Sequence, residues 1–333
     1  MLGKAIRKAV LPILLASLMV GTGCRIAYGK ADIPLNERAE NFTSDNTAAS
    51  PKEQEKTTEP AAPDDALVQA PSALLMEAST GTVIYEKDSD TRRSPASITK
   101  IMTLILIFDA LENGTLKMDD LVTTSAYAKS MGGSQVFLEE GETQDVETMI
   151  KCIVIASGND ASVAMAEHIG GSEQEFVRQM NERAAGLGME NTHFCDSTGL
   201  HNPDHYSTVK DIAVLMKYCI KNDTFREIVE TSRHSTGVTN IHPDGITYYS
   251  TMFKNLSDPT VTGGKILGGK TGYTSEAGHC LVSFAEIEGR EYIFVSAGAS
   301  GADGNTIPHI QDAVTVYNRV GAAIEAKMND NNK

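Results

Sequence analysis

Apolar residues along this chain change their rhythm, and each change predicts an element. Leu74 to Ala78 and Thr82 to Glu86 flank Ser79-Thr80-Gly81 and read as a hairpin near the N-terminal side. From Pro95 to about Val229 the pattern turns mainly helical. Ile101, Met102, Leu104, Ile105, Ile107, Phe108 and Leu111 are dense enough for a helix buried nearly all round. Glu112-Asn113-Gly114 then ends it, with glycine at the C-cap. Met149 to Ala156 is a second buried helical run, and Asp160 to Glu167 begins the next helix. Further on, His279 to Ile287 and Tyr292 to Ala297 read as two strands joined by Glu288-Gly289-Arg290-Glu291, a second hairpin. A final helix is predicted from Ala313 to about Lys327, followed by a polar tail from Asn329 to Lys333. Strands at both ends of a helical middle predict an α+β fold whose sheet draws on both ends of the chain.

The first 66 residues do not share this patterning. Residues 1–29 read as an export segment: Lys4, Arg7 and Lys8 precede an apolar run, Val10 to Val20, broken only by Pro12 and Ser17. Cleavage is expected after Ala27-Tyr28-Gly29, or at a lipoprotein-type site in Val20-Gly21-Thr22-Gly23-Cys24. Residues 30–66 are dominated by Asp, Glu, Lys, Pro, Ala, Ser and Thr, a composition that buries too little apolar surface to fold. They read as a disordered acidic linker, and residues 67–328 as one globular domain.

Net charge is −15, and residues 1–29 hold four basic residues and no acid, so the exported remainder is more acidic still. That balance excludes nucleic acid as a partner. The chain has five cysteines. Cys152, Cys219 and Cys280 lie in apolar runs and read as small core residues. If Cys24 is lost or lipidated, four remain, an even number that permits disulfides without suggesting a framework. His201 and His205 are four apart with Asp204 between, but Pro203 breaks the helix that would align them, so no metal site is expected.

Candidate chemistry lies in three motifs: Ser97-Ile98-Thr99-Lys100, Ser157-Gly158-Asn159 and Lys270-Thr271-Gly272. Together they are the parts of an acyl-transfer site with a lysine-activated serine. Ser97 follows Pro95, a residue favoured in a helix's first turn, which puts Ser97 at the start of the core helix and Lys100 on the same face. Lys100 falls inside an apolar run, a costly place for a charge. Ser207-Thr208-Val209-Lys210 repeats the first motif's spelling. There Ser207 or Thr208 reads as a helix cap, with Asp211 in the first turn and Lys210 on a wet surface. Ser157-Gly158-Asn159 falls in a loop between two core helices. Lys270-Thr271-Gly272 falls on a strand beside the second hairpin, where Gly272 would let a substrate backbone come close.

These motifs, with their surroundings, resemble the serine-type D-alanyl-D-alanine carboxypeptidases, the low-molecular-mass penicillin-binding proteins. The resemblance runs from about Ser72 to about Val320. It is carried by the stretches from Arg93 to Thr103, Ser157 to Ala161 and Lys270 to Thr274. Softer matches are Gly133 to Leu138, and Thr198-Gly199-Leu200 followed by Tyr206-Ser207-Thr208. It implies a β-lactamase/transpeptidase-like fold, a mostly antiparallel sheet flanked by helices with a helical subdomain. It implies Ser97 as nucleophile, Lys100 as base and Ser157 as proton relay, with no cofactor. Asn159, Lys270, Thr271, Gly272 and Tyr273 would bind substrate, with the Ser97 and Tyr273 amides as oxyanion hole. The partners implied are peptidoglycan stem peptides ending in D-Ala-D-Ala, and β-lactams as covalent inhibitors. The family's carboxylate-binding arginine is matched here by His309, so the carboxylate contact is expected to rest on Thr271 and Lys270 or on a charged His309, and in the second case carboxylate affinity would depend on pH near neutrality. A class A-like β-lactamase is a rival reading, but position 158 is Gly where that class has Asp, and no E-x-x-L-N follows. A non-catalytic penicillin-binding sensor is the other rival. The location expected is extracytoplasmic. Any tether is expected at the N-terminus, through a lipidated Cys24 or an uncleaved segment 9–23, on a linker spanning roughly 30–35 Å.

Overall fold

The computed structural model describes residues 65–301 and 307–331. The export segment, Cys24 and nearly all of the linker lie outside these residues. Ser72–Glu77 (β1) and Val83–Lys87 (β2) form the first hairpin. Gly278–Ile287 (β9) and Arg290–Ala299 (β10) form the second, turning on Glu288 and Gly289, both at positive φ. Between them the chain builds Lys100–Glu112 (α1), Leu121–Thr123 (β3), Ala126–Lys129 (α2), Thr143–Asp145 (β4), Val146–Ile155 (α3), Asn159–Gly170 (α4), Glu173–Gly186 (α5), Val209–Cys219 (α6) and Asp223–Val229 (α7). Arg233–Ser235 (β5) and Thr247–Tyr249 (β6) pair with each other; Thr260–Val261 (β7) and Gly264–Thr274 (β8) lead into β9. Pro308–Asn331 (α8) closes the fold.

One six-stranded antiparallel sheet runs in the order β2-β1-β10-β9-β8-β7. Strands from both chain ends meet where β1 pairs β10, as the two hairpin patterns predicted. Side chains of successive residues face opposite sides of a sheet. Both sides are buried here: Leu74, Val282, Phe284, Ile293 and Val295 join the helical subdomain's core. Ala73, Leu75, Leu281, Tyr292 and Phe294 pack in a second core with α8. That two-sided burial is why these strands read as nearly continuous apolar runs. Tyr317 of α8 ties the two layers: its hydroxyl accepts from the Phe294 amide at 3.0 Å and donates to the Ser283 carbonyl at 2.9 Å.

Three expectations change. The last helix starts at Pro308, five residues before the predicted Ala313, because proline suits a first turn that the apolar pattern cannot reveal. The expected polar tail is helical as far as Asn331, since no glycine or proline interrupts it there. Ser97 lies in a 3-10 turn, Ala96–Thr99, and α1 proper starts at Lys100.

Candidate active site

Ten of the thirteen α1 residues are buried, including Lys100, which has no exposed surface. A buried ammonium needs partners. Lys100 Nζ donates to Ser97 Oγ at 3.0 Å and to the Thr198 carbonyl at 2.7 Å. Burial pushes the Lys100 pKa down to about 7, against the raising influence of Asp196 and Asp160. Ser97 itself is half-buried. Ala96, just before it, is held at φ +47°, a strained angle for a residue with a Cβ.

The second motif bridges α3 and α4. Ser157 is held at φ +63°, and Asn159 opens α4. Ser157 Oγ accepts from Lys270 Nζ at 2.7 Å. Lys270, on β8, is also buried, and burial together with the Lys100 charge holds its pKa well below the usual lysine value. The site therefore contains two serine–lysine pairs. Asn159 Nδ2 donates to the Gly132 carbonyl at 2.6 Å, leaving Oδ1 buried without a partner among the described residues. Asp160 next to it accepts the Val136 and Leu138 amides and so fixes the 132–138 wall.

Thr271 Oγ1 donates to Thr251 Oγ1 at 2.8 Å. A Cβ on Gly272 would lie 3.0 Å from the Ser97 nitrogen and 3.1 Å from Ala96 Cβ. Gly272 therefore packs closely against the Ser97 turn, which a Cβ there would crowd. It also brings the Ser97 amide to the edge of β8, beside Tyr273, which is 61% exposed.

A cavity of about 320 Å³ joins these groups, lined by Ser97, Ser157, Thr271, Gly272, Tyr273 and His309 among others. His309 is where the sequence placed it, but not in the expected state. It is buried and stacked on His279 with ring centroids 4.9 Å apart. Burial, then His279, pushes its pKa to about 3, so the ring is neutral at physiological pH. The expected charged His309, and a carboxylate affinity changing near neutrality, are corrected accordingly.

The family model for D-alanyl-D-alanine carboxypeptidase matches residues 55–301. The chain belongs to this family. It is 45% identical over 232 residues to the D-alanyl-D-alanine carboxypeptidase DacF of Bacillus subtilis, covering 70% of this chain and 58% of that protein. It therefore spans less than two thirds of that relative's length. A D-alanyl-D-alanine carboxypeptidase of Streptomyces sp. (strain K15) is 31% identical, with 77% and 88% covered. Penicillin binding protein 6B of Escherichia coli superposes with a TM-score of 0.66 at 30% identity, over 82% of this chain and 81% of that one.

Sequence reasoning missed part of the cavity wall. Thr251, Lys254 and Asn255 line it. They follow β6 in a segment with no helical or strand period, and only the pairing of Thr251 with Thr271 reveals their place. His279 also lines the cavity, although it reads merely as a strand residue. His201 and His205 part ways: His201 is exposed, while His205 is buried beside Thr99.

Proposed function

We propose that this protein is a serine D-Ala-D-Ala carboxypeptidase that removes the terminal D-alanine from peptidoglycan stem peptides and is acylated by β-lactams. The observation that carries the reading is Lys100: a fully buried amine, hydrogen-bonded to Ser97 and with its pKa at about 7. A serine hydroxyl is a weak nucleophile until a nearby base takes its proton, and a base that titrates near the working pH does so best.

In this reading Ser97 Oγ attacks the carbonyl between the two terminal D-alanines while Lys100 takes the hydroxyl proton. The Ser97 and Tyr273 amides hold the oxyanion. Ser157, hydrogen-bonded to Lys270, passes a proton to the leaving D-alanine nitrogen, and the C–N bond breaks. The unpartnered Asn159 Oδ1 accepts a substrate amide N–H. Thr271 binds the terminal carboxylate, with neutral His309 as a polar contact on the same wall. Water then attacks the ester and frees Ser97. Incubation with a pentapeptide stem should release free D-alanine. An intact pentapeptide under conditions where a β-lactam acylates the protein would favour the sensor reading instead.

The domain plan extends this proposal. Residues 1–29 direct export, residues 30–66 are a linker, and residues 67–328 are the catalytic domain acting outside the cytoplasm. Lipidation at Cys24 would tether it to the membrane. Fractionation of cells carrying wild type and Cys24→Ala tests the tether. A membrane-bound wild type and a released variant are expected; two wholly released proteins would contradict it.

A further inference from the structure

Lys100 has one partner that the mechanism does not use. Its ammonium donates to the carbonyl of Thr198, in an irregular segment between α5 and α6. That carbonyl is held in place by a single carboxylate. Asp196 Oδ1 accepts from the Thr198 amide at 2.7 Å, the Thr198 hydroxyl at 2.8 Å and the Gly199 amide at 2.6 Å. Its other oxygen lies 3.4 Å from Nδ1 of buried His205, whose Nε2 is 2.9 Å from Thr99 Oγ1. Asp196 thus contacts the nucleophile's turn by two routes, through Thr198 to Lys100 and through His205 to Thr99.

The turn it forms is pressed hard against the active site. A Cβ on Gly199, which sits at φ +87°, would fall 1.8 Å from the Ala96 carbonyl oxygen. Behind it, Glu173 accepts the Ser197 amide and hydroxyl, and the Ser197 carbonyl accepts from Thr103 Oγ1 of α1 at 2.7 Å. The segment is clamped on both sides, and Asp196 brings a negative charge to Lys100 within it.

We propose that Asp196 is a positioning residue that fixes the Thr198 carbonyl on Lys100 and sets, by its negative charge, the pH at which this base releases its proton. The inference rests on the reading of Lys100 as the base for Ser97. Three charged groups bear on Lys100 from the elements around it, Asp196 from this segment, Asp160 from α4 and Lys270 from β8, while His205 reaches the same turn through Thr99. Burial disfavours the ammonium and the two carboxylates favour it. The Asp196 carboxyl is held at about 2: its own burial raises it, but the His205 contact and the Thr198 and Gly199 amides outweigh that. It stays ionised throughout the pH range in which Lys100 titrates.

The test is the pH–rate profile of β-lactam acylation, measured for the full chain. In wild type the acid limb reports Lys100 losing its proton. Asp196→Asn removes the charge and keeps an acceptor, so the ammonium loses a stabilising neighbour. The limb should move to lower pH, by about half a unit or more. Asp196→Glu keeps the charge but misplaces the turn, so it should leave the limb in place and lower the plateau severalfold. Asp196→Ser offers a short neutral acceptor and serves as a second charge-free variant should Asp196→Asn not fold. A uniform loss of rate at every pH in the folded neutral variants, with the limb unmoved, would overturn the proposal. Failure of the underlying reading looks different, because wild type itself would then show no limb or no acylation.

Discussion

The same four-letter pattern occurs twice in this chain and folds into two different environments. In Ser97-Ile98-Thr99-Lys100 the lysine is fully buried, its amine reaches the serine hydroxyl, and its pKa falls to about 7. In Ser207-Thr208-Val209-Lys210 the lysine is exposed and pairs with Asp90 at 3.2 Å. There Thr208 caps α6 by accepting the Asp211 amide, and Ser207, though buried, exchanges backbone hydrogen bonds with Arg93. The serine and lysine types are identical. What differs is whether the helix between them is surrounded. α1 is enclosed by other helices, and so its lysine is desolvated. Desolvation, not the motif, turns an ammonium into a base.

The sharpest break in this comparison is at the lysines. Lys100→Ala should lower β-lactam acylation by roughly 10²–10⁴-fold, the usual worth of a general base, and Lys210→Ala should leave it within about twofold. Stopped-flow acylation rates check both, and equal losses would erase the distinction. Lys270→Arg comes next. It keeps the charge but not the shape that meets Ser157, so a loss of roughly ten- to a hundredfold is expected in the same assay.

The pH dependence separates the two regions further. Below about 7 Lys100 holds its proton and cannot act as base. The acylation rate should therefore fall about tenfold per pH unit on the acid side and level off above neutrality. Because the His309 pKa is pushed to about 3, affinity for a substrate carboxylate should stay flat between pH 5 and 8. Inhibition by a D-Ala-D-Ala dipeptide across that range measures it, and a step near pH 6.5 would restore the charged His309.

The smallest effect falls on the second copy of the pattern. Thr208→Ala removes a helix cap and should cost about 1 kcal/mol of stability by denaturant unfolding, with acylation unchanged in the folded protein. A loss of acylation there would give the decoy a role this account denies it.

Much of this contrast was legible in the sequence because it rests on neighbours along the chain. The apolar residues after Lys100 announced its burial, and the acidic residue three after Thr208 announced a cap. Lys270-Thr271-Gly272 lies on β8 beside the β9–β10 hairpin, as the hairpin reading predicted. Contacts across long sequence distances were not legible. Asp196 meets Lys100's turn through a loop with no period, and Thr251 meets Thr271 from another. His309 was placed at the site, but its neutrality follows from burial and from the stacked His279, which only packing reveals. The 3-10 form of the Ser97 turn escaped as well, since proline favours the first turn of either helix type.

Peptide mapping of the full chain after reaction with a β-lactam locates the nucleophile itself. A single covalent adduct is expected, on the peptide containing Ser97, and it should be lost in Ser97→Ala. An adduct on Ser207, or one that survives Ser97→Ala, would contradict that assignment.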